Sequence, residues 1–389
     1  MPRAASNRKS NMYSSRLILS NVLAISFLWA GQSQEPVLRA RIALAGSLRE
    51  PPGLMKVRSH SIGGMAFSHS GKKLAAVAVG HSYGEQGLFH IVIADLDQPQ
   101  PAIRSFNVST HKDVWFPHQR LQWSENDDLL LFHNGVEDCI LIDSSSGAVR
   151  CSISAKARIS MLASGMVGTG QFFVAEGVKD DTLLSFYDFR CGLSFERHLK
   201  GRVSDGSTSS GPLIVLEHHL EFKPVISILR GPEWIVWKQL VVDRDRNHPV
   251  LLQNGRVLCA GVSANGNNGS VECWSIQDDA ILARQGYSMR KGGTDPISSA
   301  YRSSLIAFLE RSYSRGPFEN LTVRPKRYVV WDVESAKTIA ELSPRQYDVH
   351  ARSESPYRFK AVFDIAISPD GALLVLGGDD TLEIYNIQR

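Results

Sequence analysis

One short unit recurs along this chain and limits the folds open to it: a strand, a tight turn, a second strand, another turn and a third strand. The clearest copy is the last, where residues 363–371 (FDIAISPDG) precede 372–378 (ALLVLGG) and 379–387 (DDTLEIYNI). Ser-Pro-Asp-Gly suits a tight turn because proline presets φ and glycine accepts a positive φ. Few segments after residue 36 show a helical period, so the pattern predicts an all-β chain.

The same unit occurs repeatedly upstream, and its third strand closes on an apolar residue followed by a polar one. The closing pairs are Ala94-Asp95, Ile142-Asp143, Tyr187-Asp188, Trp274-Ser275, Trp331-Asp332 and Tyr385-Asn386. The interval between 188 and 275 is nearly twice the others, and residues 225–229 and 234–243 would fill it with one further unit. The polar stretch at 207–210 reads as a flexible loop. The chain therefore holds seven such units.

These residues resemble the WD-repeat β-propeller family, across nearly all of residues 37–389 and most strongly in 363–387. Blades of that family recur about every 40–45 residues. The resemblance implies one all-β propeller of seven four-stranded blades, with six or eight left open. The Gly-His dipeptide that opens a WD repeat is missing at the expected positions. The hydrogen-bond network of His, Ser or Thr, Trp and Asp that the family implies is therefore expected to be incomplete.

The last unit ends with its third strand and lacks a fourth. An early segment, residues 37–44 (VLRARIAL), alternates like a strand and has no partner nearby. Pairing the two would hide an exposed edge and tie the ends of the ring together. We expect this segment to supply the outer strand of the last blade, with a loose linker as the alternative.

Residues 1–33 differ in charge from the rest of the chain. They hold four of the 43 basic residues and none of the 39 acidic ones, so residues 34–389 are neutral overall. A basic start, a short apolar run at 17–30 and the small residues Gly31 and Ser33 are typical of a secretory signal. The run is short for a membrane span of about 20 residues. We expect export to the periplasm or the exterior. An uncleaved anchor, a transit peptide and a start at Met12 are the alternatives.

The five cysteines suggest a pairing. Cys139 and Cys151 flank a turn at 143–147, and Cys259 and Cys273 flank another at 265–269. Opposed residues of an antiparallel hairpin lie within disulfide range, and an exported protein meets oxidising conditions. We predict these two disulfides and a lone Cys191, with small buried apolar side chains as the alternative. No Cys-x-x-Cys spacing is present, which argues against a structural zinc site.

Sequence motifs for catalysis are missing. The chain has no Gly-x-Ser-x-Gly, no His-Glu-x-x-His and no phosphate-binding Gly-x-x-x-x-Gly-Lys-Ser/Thr. His218 and His219 are neighbours on a predicted strand, so their side chains point to opposite faces and cannot share a metal. Paired aspartates fall at strand turns, where they bond backbone N–H groups. We therefore assign no catalytic, metal or cofactor-binding residue and expect no cofactor.

Two long loops, at residues 80–89 and 310–327, are the candidate binding elements. In a propeller, loops between the second and third strands of the blades gather on one face. Aromatic and arginine side chains are enriched at protein interfaces. The candidate partner-binding residues are Tyr83, Tyr313, Arg315, Phe318 and Arg324. Solvated linkers are the alternative.

These observations favour a non-enzymatic, exported scaffold that binds a protein, peptide or glycan partner through its long-loop face. A neutral body lacks the clustered basic residues that nucleic acid needs, and we expect no nucleic-acid partner, no membrane span after signal removal, and a monomer. The alternative is a propeller-type enzyme, a lactonase or a quinone-dependent dehydrogenase, with residues from several blades meeting at the central channel. Both hypotheses rest on resemblance of fold.

Overall fold

The fold consists of seven four-stranded antiparallel sheets. The structure, a computed structural model, describes residues 35–43, 60–80, 88–98, 100–109, 120–134, 138–155, 161–220, 223–241, 246–263, 268–278, 280–288, 297–315, 321–343, 364–378 and 381–388. Within those ranges it contains 28 strands and one short 3-10 helix, Gln253–Gly255. No helix in this part of the chain is long and apolar enough to cross a membrane. The prediction of an all-β chain with seven blades is confirmed.

The strands of the first four blades follow one another along the chain, after an isolated strand β1 (Val37–Ala43). Blade 1 comprises β2 (His60–Phe67), β3 (Lys73–Gly80), β4 (Leu88–Asp95) and β5 (Ala102–Ser109). Blade 2 comprises β6 (Arg120–Trp123), β7 (Leu129–His133), β8 (Asp138–Asp143) and β9 (Val149–Ser154). Blade 3 comprises β10 (Met161–Val167), β11 (Gln171–Val178), β12 (Asp181–Asp188) and β13 (Leu193–Lys200). Blade 4 comprises β14 (Arg202–Ser210), β15 (Leu213–Leu220), β16 (Lys223–Arg230) and β17 (Ile235–Val241).

The remaining three blades follow the same order. Blade 5 comprises β18 (Arg246–Leu252), β19 (Val257–Ser263), β20 (Asn268–Ser275) and β21 (Ile281–Ser288). Blade 6 comprises β22 (Ile297–Ser299), β23 (Leu305–Arg315), β24 (Leu321–Asp332) and β25 (Lys337–Leu342). Blade 7 comprises β26 (Asp364–Ile367), β27 (Leu373–Gly377) and β28 (Thr381–Asn386), with β1 as its fourth strand.

The first strand of each blade lies innermost, because first strands of neighbouring blades contact one another around the ring. Residues 207–210, expected to form a flexible loop, belong to such an inner strand. Ser207 pairs with Leu216 and Ser210 with Leu213 in the ladder between β14 and β15. The polar composition of this segment gives no sign of a strand. The strand forms because the segment pairs with its neighbour β15, since strand formation depends strongly on tertiary context.

Apolar side chains on both faces of each blade hold the ring together. Ala75 and Val77 face blade 2, whereas Leu74 and Ala76 on the same strand face blade 7. This alternation follows from the two-residue period of a strand. One buried apolar cluster lies at each of the seven junctions between neighbouring blades. The core is therefore distributed around the ring between blades.

A serine hydroxyl fixes the tight turn between the first and second strands in three blades. The Oγ atoms of Ser68, Ser124 and Ser368 accept backbone N–H groups five residues later at 3.1, 3.0 and 2.9 Å. Each of these serines is buried. Gly371 closes the Ser-Pro-Asp-Gly turn with φ of +74°, as the sequence predicts.

Strand β1 closes the ring. It pairs antiparallel with β28 from Val37 opposite Asn386 to Ala43 opposite Thr381, with a bulge between Leu38 and Ala40. Ile42 is buried in the cluster shared by blades 7 and 1. The expectation that residues 37–44 complete the last blade is confirmed for the described part of that segment, residues 37–43.

Two disulfides are present. Cys259 and Cys273 are register partners on β19 and β20, with Cα atoms 4.1 Å apart, as expected from their spacing. Cys151 of blade 2 joins Cys191, in the turn between β12 and β13 of blade 3, with a Cα separation of 5.5 Å. This second bond ties neighbouring blades together.

The expected bond between Cys139 and Cys151 does not form, and Cys191 is not alone. In the ladder between β8 and β9, Cys139 lies opposite Ile153 and Cys151 opposite Leu141, so the two cysteines are offset by two residues. Diagonal neighbours are separated by about 7–8 Å, beyond disulfide range. Cys139 is a buried free thiol, and burial raises its pKa to about 12.

The imidazole of His133 is the most strongly perturbed base in the core. It is buried beside its ladder partners Arg120 and Cys139, and neither ring nitrogen has a hydrogen-bond partner among the described residues. The pKa of His133 is lowered to about 3, mainly by burial and also by the charge of Arg120, and the charge of Asp138 opposes this shift. The ring is therefore neutral in the folded protein at neutral pH.

Replacing Ile42 by alanine should lower the free energy of unfolding by about 2–5 kcal/mol, because a fully buried side chain is lost at the closure of the ring. Leu38→Ala is the control on the same strand, since Leu38 is 37 % exposed against 3 % for Ile42, and should change stability by less than about 1 kcal/mol. Urea denaturation measures both. Equal stabilities for the two variants would contradict closure by β1.

Acidification should destabilise the fold through His133. The pKa of His133 is 6.5 in the unfolded chain and about 3 in the folded protein. Its contribution to the free energy of unfolding is therefore complete above pH 6.5 and is lost as the pH falls towards 3. The slope is at most about 1.4 kcal/mol per pH unit. Between pH 7 and 4, the free energy of unfolding obtained from denaturation at each pH should fall less steeply for His133→Leu than for the wild type. The exposed His198→Leu should keep the wild-type slope, and equal slopes in all three proteins would contradict the assignment.

Candidate functional site

The residues that the sequence marks for partner binding lie at the connection between the second and third strands of blades 1 and 6. Tyr83 and Phe318 fall outside the described residues. Tyr313 and Arg315 lie on β23, and Arg324 lies on β24. These three positions share one two-stranded ladder, in which Tyr313 pairs with Val323 and the neighbouring Ser312 with Arg324.

Residues 310–327, expected to be a loop, largely continue the sheet. The ladder between β23 and β24 has 11 pairs and runs to Arg315 opposite Leu321. The corresponding ladders in blades 3 and 4 have eight pairs each. At about 3.4 Å per residue, the three additional pairs extend the ladder by about 10 Å. We call residues 310–327 the blade 6 hairpin.

The sequence hides this hairpin for a local reason. Pro325 lies opposite Arg311, directly beyond a register shift that follows Glu310, so one residue, Lys326, is left out of the pairing. Such a bulge tolerates proline, whereas proline in a sequence run normally argues against a strand. The alternation of Leu321 and Val323 with polar residues is the signal that could have identified β24.

A buried ion network anchors the base of the blade 6 hairpin. Arg327 on β24 donates from Nε to the Glu310 carboxylate on β23 and from a terminal nitrogen to Glu341 on β25, the latter at 2.9 Å. The Glu310 side chain is only 1 % exposed. The hydrogen bond to Glu310 raises the pKa of Arg327, and burial opposes it. The anchor therefore links β23, β24 and β25 at the point where the ladder between β23 and β24 extends beyond the rest of the blade.

Similar ion pairs join third and outer strands in two other blades. Arg284 pairs with the buried Glu272 in blade 5, and Arg41 pairs with the buried Glu383 in blade 7, both at 2.8 Å. The ladders between second and third strands in those blades are shorter, with seven and five pairs. The ion pair is therefore a structural element of the blades, and the projecting ladder is what distinguishes blade 6.

A second surface of interest lies on the outer strands of blades 4 and 5. Ile235, Val236 and Trp237 are three consecutive exposed apolar residues on β17, and Ile281 and Leu282 are exposed on β21. We call these five residues the blade 4–5 strip. Consecutive exposed apolar residues are unusual on a soluble surface.

Basic side chains flank the indole of this strip. The guanidinium of Arg230 and the ammonium of Lys238 lie 5.7 and 6.0 Å from the ring centroid of Trp237. Lys238 also donates to the carbonyl oxygens of Ile276, at 2.6 Å, and Gln277, at 3.2 Å, which joins blade 4 to blade 5. Sequence reasoning missed this surface because nothing in a strand pattern shows which strand is outermost.

The histidine pair has a structural role. His218 bridges the Lys200 carbonyl oxygen at 3.0 Å and the Ser227 hydroxyl at 2.6 Å, so both ring nitrogens are engaged. Burial lowers the pKa of His218, the bond to Lys200 opposes this, and His219 lowers it further. In the ranges that the structure covers, no three His, Cys, Asp or Glu side chains are arranged to hold a metal ion.

Replacing Arg327 by leucine should destabilise the protein by about 3–5 kcal/mol, because the buried Glu310 carboxylate loses its guanidinium partner. Chemical denaturation measures the loss. The double variant Glu310→Leu/Arg327→Leu should recover most of it, since apolar replacement of a buried pair is nearly neutral. Arg190→Leu, on an exposed turn of blade 3, is the control. A single variant as stable as the wild type would show that the anchor contributes nothing.

Comparison with known proteins identifies the architecture. No protein-family model matches the chain, and no curated protein sequence resembles it. Among solved structures, that of U3-55K is similar, with a TM-score of 0.55 and 11% identity over 90% of this chain and 99% of that one. The crystal structure of RRP9 WD40 repeats is also similar, with a TM-score of 0.56 and 12% identity over 91% and 99%. The chain is thus a seven-bladed β-propeller with the fold of the WD40-repeat proteins.

Proposed function

We propose that this protein is an exported interaction scaffold that holds a protein or peptide partner on the blade 6 hairpin. The WD40-type fold suggests an interaction scaffold in general. The observation that carries the specific proposal is the ladder of blade 6, which continues to Arg315 opposite Leu321 above its buried anchor. A platform that is ordered before binding loses less conformational entropy on association than a free loop.

The composition of the blade 6 hairpin defines the chemistry of the partner. Residues 310–327 hold five basic residues and two acidic ones, Glu310 and Glu319, and one of the five, Arg327, is paired with Glu310. The same stretch carries Tyr313 and Phe318. Arginine and aromatic residues dominate the binding energy of many interfaces. A partner segment that is acidic and carries apolar side chains complements this composition.

Export is supported by two independent features. The first is the signal-like composition of residues 1–33. The second is the pair of disulfides, Cys151–Cys191 and Cys259–Cys273. Disulfides persist in the periplasm and outside the cell and are rare in the cytosol. The periplasm or the exterior is therefore the proposed location. Action as a monomer and without nucleic acid remain predictions.

Affinity capture from the source organism tests this proposal, with the full chain as bait and a tag at its C-terminus. Three baits are compared: the wild type, Tyr313→Ala/Arg315→Ala/Arg324→Ala in the blade 6 hairpin, and Val236→Ser/Trp237→Ser/Leu282→Ser in the blade 4–5 strip. We expect one partner to be depleted at least about tenfold by the hairpin variant alone, because both charge and aromatic contacts are lost.

Affinity measurements with the purified partner then distinguish direct binding from indirect capture. Its affinity for the wild type should fall as salt rises, because the hairpin is basic. N-terminal sequencing of the bait from envelope and secreted fractions tests export, with a start near residue 34 expected. A partner retained by the hairpin variant and lost by the strip variant would move the site to blades 4 and 5. Bait found only in the cytosol with an intact N-terminus would overturn export.

A further inference from the structure

The face opposite the blade 6 hairpin carries the turns between first and second strands, and these turns are bonded from blade to blade. Asn254 donates its N–H to the Tyr301 carbonyl oxygen at 2.9 Å, and Arg302 donates its N–H to the Pro369 carbonyl oxygen at 2.9 Å. These bonds tie blade 5 to blade 6 and blade 6 to blade 7. The turns around this mouth of the channel therefore have fixed positions.

The turns of blades 1 and 2 on this face are also hydrogen-bonded to each other. The N–H groups of His69 and Ser70 donate to the two carboxylate oxygens of Asp127 at 2.7 and 3.1 Å. On the other side of the same turn, Gly71 lies close to Pro369 of blade 7, since a Cβ at Gly71 would be 3.5 Å from the proline ring. The turns of blades 6, 7 and 1 are thus held next to one another.

A cavity of about 230 Å³ lies at this mouth, between the inner strands of blades 1, 5, 6 and 7 and the turns that follow them in blades 1, 6 and 7. Its lining combines apolar residues, among them Met65, Phe67 and Pro369, with polar ones, among them His69 and Arg302. Neither Asp nor Glu is among its lining residues. The cavity therefore combines an apolar surface with a single formal positive charge.

The nearby carboxylates already accept hydrogen bonds from turn residues. Asp127 accepts the N–H groups of blade 1, and Asp370 accepts the Ser368 hydroxyl at 2.6 Å and the Ala372 N–H at 3.0 Å. The guanidinium of Arg302 makes no ion pair or side-chain hydrogen bond with any residue that the structure describes. An anion that enters the cavity would meet this cation without a competing carboxylate among the lining residues.

We propose that this cavity binds a small carboxylate with a compact apolar body, with Arg302 as its counter-ion. The charge of Arg302 selects an anion, and the apolar wall selects a hydrocarbon or aromatic group. The volume is below the roughly 300–1,000 Å³ of drug-sized sites, so the ligand is a single small acid or the last residue of a peptide. Three turns fixed by inter-blade hydrogen bonds preorganise the site, which lowers the entropic cost of binding.

Ligand-detected NMR and calorimetry on the full chain test this site, with benzoate and benzamide as the first probes. They have nearly the same shape, but only benzoate is charged. We expect benzoate to bind and benzamide to bind at least about tenfold more weakly, since a charge-assisted hydrogen bond is lost. Equal binding of benzoate and benzamide would overturn the proposal. So would a failure to bind both benzoate and the second acid described below, N-acetyl-phenylalanine.

Variants locate the site. Arg302→Gln keeps the backbone N–H bond to Pro369 and should weaken benzoate binding about tenfold. Arg190→Gln, an exposed arginine on another turn of the same face, is the matched control and should bind as the wild type does. A melting temperature close to that of the wild type shows that Arg302→Gln is folded. Unchanged benzoate binding by Arg302→Gln would overturn the assignment.

N-acetyl-phenylalanine distinguishes the two sources of such a carboxylate. It carries the same charge and ring as a free acid, together with one amide of a peptide chain. Binding at least about tenfold tighter than benzoate would identify a peptide C-terminus as the ligand class, and the amide of the same compound should then fail to bind. Binding no tighter than benzoate would identify a free small acid. Either result supports a carboxylate site.

Discussion

Apolar packing between neighbouring blades is the interaction on which the rest of this structure depends. Each blade buries both faces of its sheet, so no blade can lack a neighbour without exposing apolar surface. A ring satisfies this condition only if its ends meet. Strand β1 provides that closure, because it pairs with β28 and places Ile42 in the cluster between blades 7 and 1. Arg41 and Glu383, which are 342 residues apart in sequence, are thus held in one sheet.

Buried apolar faces leave little tolerance for charge, and every buried glutamate discussed above has a basic partner. Glu383, Glu272 and Glu310 pair with arginines that reach in from the solvent side. Loss of one partner leaves an uncompensated buried charge, which is costly. In blade 6 this pairing lies at the point where the ladder leaves the core. The hairpin beyond it extends past this buried pair, and it is where we propose that a partner binds.

The repetition of one unit made the fold predictable from the sequence, and local irregularities explain the predictions that failed. Seven units, the Ser-Pro-Asp-Gly turn and the closing strand follow from patterns that recur along the chain. The Cys139–Cys151 pairing failed because the turn and a bulge after Leu141 each shift the register by one residue, which offsets the two cysteines by two. The blade 6 hairpin was hidden by Pro325, which a bulge accommodates. The cavity beside Arg302 could not be predicted, because its residues come from the inner strands and turns of four blades and become neighbours only when the ring closes.

Blade 6 carries both candidate sites, one at each end of β23. The turn with Arg302 precedes this strand, and Tyr313 lies near its far end, eight residues after Leu305, which at about 3.3 Å per residue separates the two ends by roughly 26 Å. The strand between them is paired with β24 along its length and with β22 at residues 306–308, and residues 305–310 are buried, so the strand is held in one arrangement. Coupling between distant sites requires an element with two arrangements. The two sites should therefore bind their ligands independently, so that a partner on the proposed hairpin site would be held whatever occupies the cavity on the other face.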